Sequence, residues 1–285
     1  MILADIEKKQ KELEAAVSCG NEGAKAADPT SSARSFADKT LCTALDVGEN
    51  MLKCGAEVHR VEDSISRICK AYGAEHVEVF SIPSLIIAAV RFPDGTYSSQ
   101  VRRILSNARN LGRLELFNGI SRKLCATRPD FDEAQDLIKQ AKEKKLYPKY
   151  ISYIGAALTS GAFAAFFGGG WRDAIVAAIV GVFLNFCDSH RLPYVNQLTH
   201  YTICSFLSGL VSMLFYHLGA VESADKVMIG VIMILVPGLS LDVALRDLLC
   251  GETVSGLMGF MQSLLSAAML AVGFTVAIII CGGVV

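Results

Sequence analysis

From Tyr150 onward the chain carries five apolar runs in close succession, and this constrains its fold more than any other feature. The runs cover residues 150–168, 172–188, 199–219, 226–249 and 255–282. Crossing a bilayer takes about 20 mostly apolar residues, so the second run is short. The fourth contains "ILVPGLSLDVALRDLL" and is interrupted by its Pro-Gly pair. The core of a water-soluble protein has no use for five such runs back to back, whereas a membrane does. Residues 1–149 hold nearly all the Lys, Arg, Asp and Glu. The expected architecture is an α-helical membrane protein with five transmembrane helices, the fourth interrupted at Pro-Gly, preceded by a small α+β cytoplasmic domain. The expected boundaries are 1–34 for an amphipathic helix and flexible linker, 35–148 for the soluble domain and 149–285 for the spans.

Charge and cysteine usage narrow the function classes. The net charge of −1 offers no dominant basic surface, which argues against a nucleic-acid partner. The nine cysteines are odd in number and form no CxxC pair, and the five histidines complete no zinc pattern. No metal or other cofactor is expected, and scattered free thiols suit a reducing cytosol. "MILADIEKKQKELEAAV" is charged throughout, so it reads as a short amphipathic helix and not a signal peptide. "GNEGAKAADPTSSAR" after it has the composition of a linker.

In the soluble half, Leu41, Leu45, Met51 and Leu52 recur at helical spacing, ending at Gly55. A second helix is expected over 57–72, with Val61, Ile65 and Ile68 on one face and Gly73 as its stop. The period then changes to that of strands. "HVEVFSIPSLIIAAVRFPDGTYSSQVRRI" holds two strand-like runs, a turn at Pro93-Asp94-Gly95, and a third run through Tyr97 and Val101. Pro83 is expected to start the second strand or to sit on an edge. Helices over 111–125 and 131–146 follow, the latter with Asp130 as N-cap.

Lys and Arg near the ends of the runs set an orientation. Lys139, Lys142, Lys144, Lys145 and Lys149 precede the first, and Arg191 and Arg246 follow the second and fourth. The positive-inside rule places the soluble half and the N-terminus in the cytoplasm and the C-terminus outside. In the last run Gly251, Ser255, Gly259, Ser263, Ala267 and Ala271 stand at strict four-residue spacing, a stripe that lets helices pack closely in lipid. More protein than this chain contains is expected to pack on it.

The fourth run poses the functional question. Asp242 and Arg246 lie at i,i+4 in the favourable order, with Asp247 beside them. One reading makes them the cytoplasmic edge of the span. The other starts from Pro237, which removes a backbone donor and frees the Met233 carbonyl, while Gly238 loosens the same turn. Unsatisfied backbone at membrane depth is tolerated where it lines a cavity, and transporters hold substrates and ions with such broken helices. The half-helix from Gly238 then aims its positive end at an anion. Thr159, Ser160 and Asn185 are polar candidates on the path, against a plainer role in helix packing. His200 and Glu57 are candidates for proton binding or gating, against an interfacial histidine and a solvated first turn. "FFGGGW" reads as an outside turn with Trp171 at the interface.

Four blocks, "GAEVHRVEDSISRI", "FSIPSLIIAAV", "GGGWRDAIVA" and "LVPGLSLDVALRDLLCGETVSG", resemble the threonine/serine exporter (ThrE-like) family. They are closest to the YjjP-like subunit of its two-component exporters. The resemblance runs from about Ser35 to the C-terminus and implies a proton-motive-force-driven secondary exporter of small carboxylates, threonine and serine in some members and succinate in others. It also implies a second small membrane protein of the same family as partner in a homo- or hetero-oligomer, since the chain ends after its fifth run. Of the candidate residues, Pro237, Gly238, Asp242 and Asp247 fall in the VPG block and Glu57 in the GAE block. The family relation implies a transporter in the inner membrane rather than an enzyme. Two other classes remain open. One is a membrane-anchored sensor or enzyme with its site in the soluble half, which lacks phosphate-loop, HExxH and nucleophile-elbow motifs. The other is a purely structural partner of another transporter.

Overall fold

The structure, a computed structural model, describes residues 29–105, 109–144, 146–190 and 195–281. The expected N-terminal helix, Arg191 and the last four residues lie outside these. The fold opens with α1 (Pro29–Lys53), 25 residues long. It begins inside the segment read as linker, with proline at its first position, where the missing N–H costs no helical bond. Gly55 at φ +91° turns the chain into α2 (Val58–Ala71), which ends before Gly73 at φ +98°. Both glycines hold backbone angles that side chains disfavour, which is why the two stops are readable in the sequence.

Three antiparallel strands follow, β1 (His76–Ile82), β2 (Leu85–Arg91) and β3 (Tyr97–Arg103), in the order of the chain. Ile82 pairs with Leu85, so Pro83 and Ser84 form the hairpin turn, and Pro83 does not begin β2. At that position its missing N–H leaves no gap in the ladder. The second turn falls at Pro93-Asp94-Gly95, closed by Phe92 N–H donating to Thr96 at 2.9 Å. The sheet lays Ile86, Ala88 and Val90 against α1 and α2, where Leu41, Leu45, Met51, Ile65 and Ile68 are fully buried. Helices α3 (Leu111–Thr127) and α4 (Phe131–Glu143) close this core with Phe117, Leu124 and Ile138. Asp130 stands at the N-cap of α4 without a side-chain cap bond, whereas Asn110 caps α3 by accepting from Arg113 N–H at 2.9 Å.

The apolar half folds as α5 (Lys149–Phe166), α6 (Trp171–Ser189), α7 (Gln197–His217), α8 (Ala224–Ile232), α9 (Gly238–Leu249) and α10 (Thr253–Ile280). Of these, α7 and α10 are long and apolar enough to cross a bilayer by themselves. The bundle buries several serines within an apolar core and exposes large apolar side chains. Ser160, Ser205, Ser208, Ser212 and Ser263 are buried, while Leu158, Ile175, Leu214, Leu264 and Ile279 are exposed. Water would oppose such an arrangement and lipid favours it, because small residues let backbones approach where no hydrophobic force drives helices together.

Close approach is achieved at single glycines. A Cβ on Gly230 of α8 would stand 2.5 Å from the Ser160 carbonyl oxygen of α5, and one on Gly209 of α7 would stand 2.7 Å from Ala277 of α10. On α10 the buried face runs through Ser255, Gly256, Ser263, Ser266, Leu270, Gly273, Phe274 and Ala277. The strict four-residue stripe departs from it. Gly251 forms the turn before the helix at φ +95°, and Ala267 and Ala271 are exposed. Each step of four residues turns about 40° around a helix of 3.6 residues per turn, so the stripe walks off the packed face. Gly256 and Gly259 pack within this chain, against Leu248 and Ala244 of α9.

Candidate functional site

The interrupted helix is built from the Pro-Gly pair outward. After α8 ends at Ile232 the chain makes one tight turn, with Leu235 N–H and Val236 N–H both donating to the Ile232 carbonyl, at 2.9 and 3.1 Å. Pro237 then caps α9. Among the described residues the carbonyls of Met233, Ile234 and Leu235 accept no backbone hydrogen bond. The Leu239 and Ser240 amides head a fresh helix, whose first N–H groups have no intrahelical acceptors.

At the other end of α9 the charges meet the soluble half. Asp247 is 4% exposed, and its Oδ1 accepts the Val58 N–H at 3.1 Å. Val58 opens α2, and its own N-cap residue, Glu57, makes no capping bond with its side chain. A carboxylate 189 residues away therefore caps α2. Glu57 instead accepts from Arg246 Nη1 at 2.8 Å, and Arg246 reaches Asp242 at 3.4 Å. The GAE and VPG blocks are thus held together by two contacts. Beside this latch, Glu62 accepts both the Ser81 N–H at 2.6 Å and the Ser81 hydroxyl at 3.0 Å, which fixes the β1–β2 hairpin to α2. Partial burial pushes the Glu62 carboxyl above the usual carboxylate range, with the Ser81 hydrogen bonds pulling against it.

Between the latch and the helix break lies a cavity of about 260 Å³, walled by both halves of the chain. The soluble half contributes Gly55, Val58, Pro83 and Arg109. The break contributes residues 234–240, and Asp247 comes from α9. Ser255, Gly259, Gln262, Ser263 and Ser266 line it from α10, and Asp188, Gln197 and Tyr201 close it from α6 and α7. The Ser255 hydroxyl is buried without a hydrogen-bond partner among the described residues. Gln197 Nε2 donates to the Tyr201 hydroxyl at 2.8 Å. Behind the wall His200, 7% exposed, sets Nε2 3.3 Å from Asp188 Oδ1 and 3.4 Å from Cys204 Sγ. Partial burial pushes the Arg109 guanidinium below the ordinary arginine range, an effect that Tyr201 opposes.

Of the residues singled out from sequence, Pro237, Gly238, Asp247, Ser255, Gly259 and Ser263 meet in this cavity. Asp242, exposed, and Arg246, half-exposed, sit on the latch with Glu57. Ser160 is buried between helices, its hydroxyl donating to the Ala156 carbonyl at 2.7 Å. Thr159 faces an outer groove with Phe163 and Phe166, and Asn185 accepts from the Ser152 hydroxyl at 3.1 Å. Neither lines the cavity. Sequence reasoning missed Arg109, Asp188, Gln197, Tyr201 and Gln262. Arg109 lies in a loop with no motif, and a lone Asp at the end of an apolar run reads as a membrane edge. Asp173 was also missed. It is 1% exposed, and its two oxygens accept Gly170 N–H at 2.9 Å and Glu222 N–H at 2.8 Å, tying two connections together.

The helix broken at Pro237 thus opens on a cavity with both polar and apolar walls. The profile of the family described as "Putative threonine/serine exporter" matches residues 43–281. The chain belongs to this family. Two curated relatives carry the name "Probable succinate transporter subunit YjjP". The protein from Klebsiella aerogenes is 25% identical over 213 residues, covering 73% of this chain and 80% of its own length. That from Escherichia coli K12 is 23% identical over 248 residues, covering 85% of this chain and 94% of its own. No solved structure gives a significant match. Membership implies a transporter rather than an enzyme, and together with the two long apolar helices it points to a membrane protein. Among the described residues no group of three or more His, Cys, Asp or Glu is arranged to hold a metal ion.

Proposed function

We propose that this chain is one subunit of a secondary exporter of small carboxylates, threonine, serine or a dicarboxylate such as succinate, driven by the proton-motive force. The observation that carries the reading is the cavity at the Pro237-Gly238 break, closed on its second side by the soluble half. In this reading the inner membrane holds five spans, with α8 and α9 as the two pieces of the fourth. The soluble half and the N-terminus face the cytoplasm and the C-terminus faces outside. The exposed apolar faces of α5 and α10 meet lipid and a second, small membrane protein of the same family, in keeping with the relatives' designation as subunits.

The chemistry of the walls supports this use. The α9 N-terminus and the Ser255 hydroxyl offer donors to an anionic substrate group. The carbonyls of Met233, Ile234 and Leu235, which accept no backbone hydrogen bond among the described residues, offer acceptors to a cationic or hydroxyl group. Asp188 and His200 stand together at the wall and hold the coupling proton, histidine being the side chain whose ordinary pKa lies nearest neutrality. The latch of Glu57, Arg246, Asp247 and Val58 ties cavity access to the placement of the soluble half.

Efflux of labelled threonine, serine and succinate from preloaded cells tests the reading. With the full chain and its membrane partner present, at least one solute leaves faster than from cells lacking the chain. A protonophore abolishes the difference, and His200→Gln removes its dependence on the proton gradient. If no solute leaves faster, the exporter reading is wrong.

A further inference from the structure

We infer that Arg109 is the residue that holds the substrate's carboxylate, so that the soluble half supplies part of the transport site itself. This rests on the exporter reading above. Among the described residues lining the cavity Arg109 is the one cation, set against the carboxylates of Asp188 and Asp247. Those two acids disfavour an anion beside them, and Arg109 supplies the one full positive charge among the described lining residues, alongside the neutral donors of Ser255 and the α9 N-terminus.

Its surroundings show a side chain held in position without a charge partner. The backbone that follows it is fixed. Asn110 N–H donates to the Cys54 carbonyl at 3.1 Å, and the Asn110 side chain caps α3. The Arg109 stem passes over Gly55, where a Cβ would stand 3.0 Å from the Arg109 Cγ. Tyr201 of α7 lies near enough to act on it electrostatically. Among the described residues no carboxylate stands within ion-pairing reach of Arg109; the same holds for Arg60, Arg113 and Arg122, but of these four Arg109 alone lines the cavity. A guanidinium presents a planar fork that matches a carboxylate with two parallel hydrogen bonds. The buried, unpartnered Ser255 hydroxyl is a further donor on the same cavity's walls. At about 260 Å³ the cavity lies just below the usual range of ligand pockets, roughly 300–1,000 Å³, and suits a solute of few heavy atoms.

The test is binding of labelled threonine and labelled succinate to the purified full-length chain with its co-purifying membrane partner. Threoninol and succinamide, which replace carboxylate by neutral groups, serve as competitors. Wild type binds at least one labelled acid, and the neutral analogue competes at least ten-fold less well. Arg109→Gln weakens binding of the acid by about ten- to hundred-fold, the range for a charge-assisted hydrogen-bond pair, and no longer distinguishes acid from analogue. Arg109→Lys keeps the distinction with reduced affinity, and it decides the matter if Arg109→Gln does not fold. Wild type that binds neither acid overturns the exporter reading and this inference together. Wild type that binds, with a glutamine or lysine variant of unchanged affinity and discrimination, overturns the role of Arg109 alone.

Discussion

Removing the Asp247 carboxylate should release the start of α2 while leaving its body folded. Capping by a side-chain acceptor contributes about 0.5–2 kcal/mol, and a partly buried charge at a helix N-terminus up to about 2 kcal/mol. Asp247 is 4% exposed, so Asp247→Ala also relieves the cost of holding a carboxylate away from water, which offsets part of that sum. The net loss is about 1–2 kcal/mol, and 1.4 kcal/mol is a factor of ten in an equilibrium. The neighbouring ion pair adds little. Arg246 meets Glu57 at 2.8 Å, but its side chain is 53% exposed, so breaking that pair costs at most about 1 kcal/mol. Amide hydrogen exchange on the full chain reads the difference directly. Exchange at Val58 to Val61 should rise about five- to thirty-fold in Asp247→Ala, less in Asp247→Asn, and least in Arg246→Gln. The amides of Ile65 to Cys69, deeper in α2, should be unchanged. Unaltered protection at Val58 in Asp247→Ala would refute the capping argument.

Three other perturbations probe the packing, the orientation and the linked titration. Gly230→Val should lower the melting temperature and the yield of folded protein, because its Cβ meets the Ser160 carbonyl of α5, which is backbone and cannot turn aside. The overpacking cost is about 1–3 kcal/mol or more, and a melting curve matching wild type would show that α5 and α8 do not approach as described. Cys250 is exposed at the end of α9, whereas Cys69 is buried and its thiol is pushed up to about 12, so a membrane-impermeant maleimide should label Cys250 and spare Cys69. Labelling in inside-out vesicles and not in intact cells fits a cytoplasmic soluble half, and the reverse pattern would invert the topology. For Glu62 the native carboxyl holds its proton to higher pH than the unfolded one, so the native state binds more protons in between. Stability should therefore fall as pH rises from the ordinary carboxylate value through the raised one, and Glu62→Gln should lack that slope. Parallel melting curves for the two proteins across that window would show that Glu62 does not titrate differently on folding.

The elements readable from the sequence were those defined by local rules. The glycines that need positive φ, Gly55 and Gly73, fixed the ends of α1 and α2, and alternation followed by Pro93-Asp94-Gly95 marked the meander. The Pro-Gly break was readable because a proline inside an apolar run has few other uses. Two features were only partly legible, for physical reasons. The four-residue stripe on α10 looked like one face on paper, but a helix of 3.6 residues per turn rotates it from the packed face to exposed positions by Ala267. The role of Asp247 depended on a partner 189 residues earlier, and no local pattern encodes such a contact. Arg109 was hidden for the same reason, since its neighbours Gly55 and Tyr201 come from opposite halves of the chain.

These long-range contacts change the meaning of the charges in the fourth apolar run. Read alone, Asp242, Arg246 and Asp247 offered a choice between a membrane edge and a lined path. The fold separates the three by exposure. Asp242 and Arg246 lie at the outer side of the latch with Glu57, where water still reaches them, and Asp247 turns inward to α2 and the cavity. The turn at 233–237 separates α8 from α9 in the chain. A displacement of α9 relative to α2 would break the cap that Asp247 places on α2. The Asp247 cap and the Arg246–Glu57 pair therefore tie α9 directly to α2 and its domain.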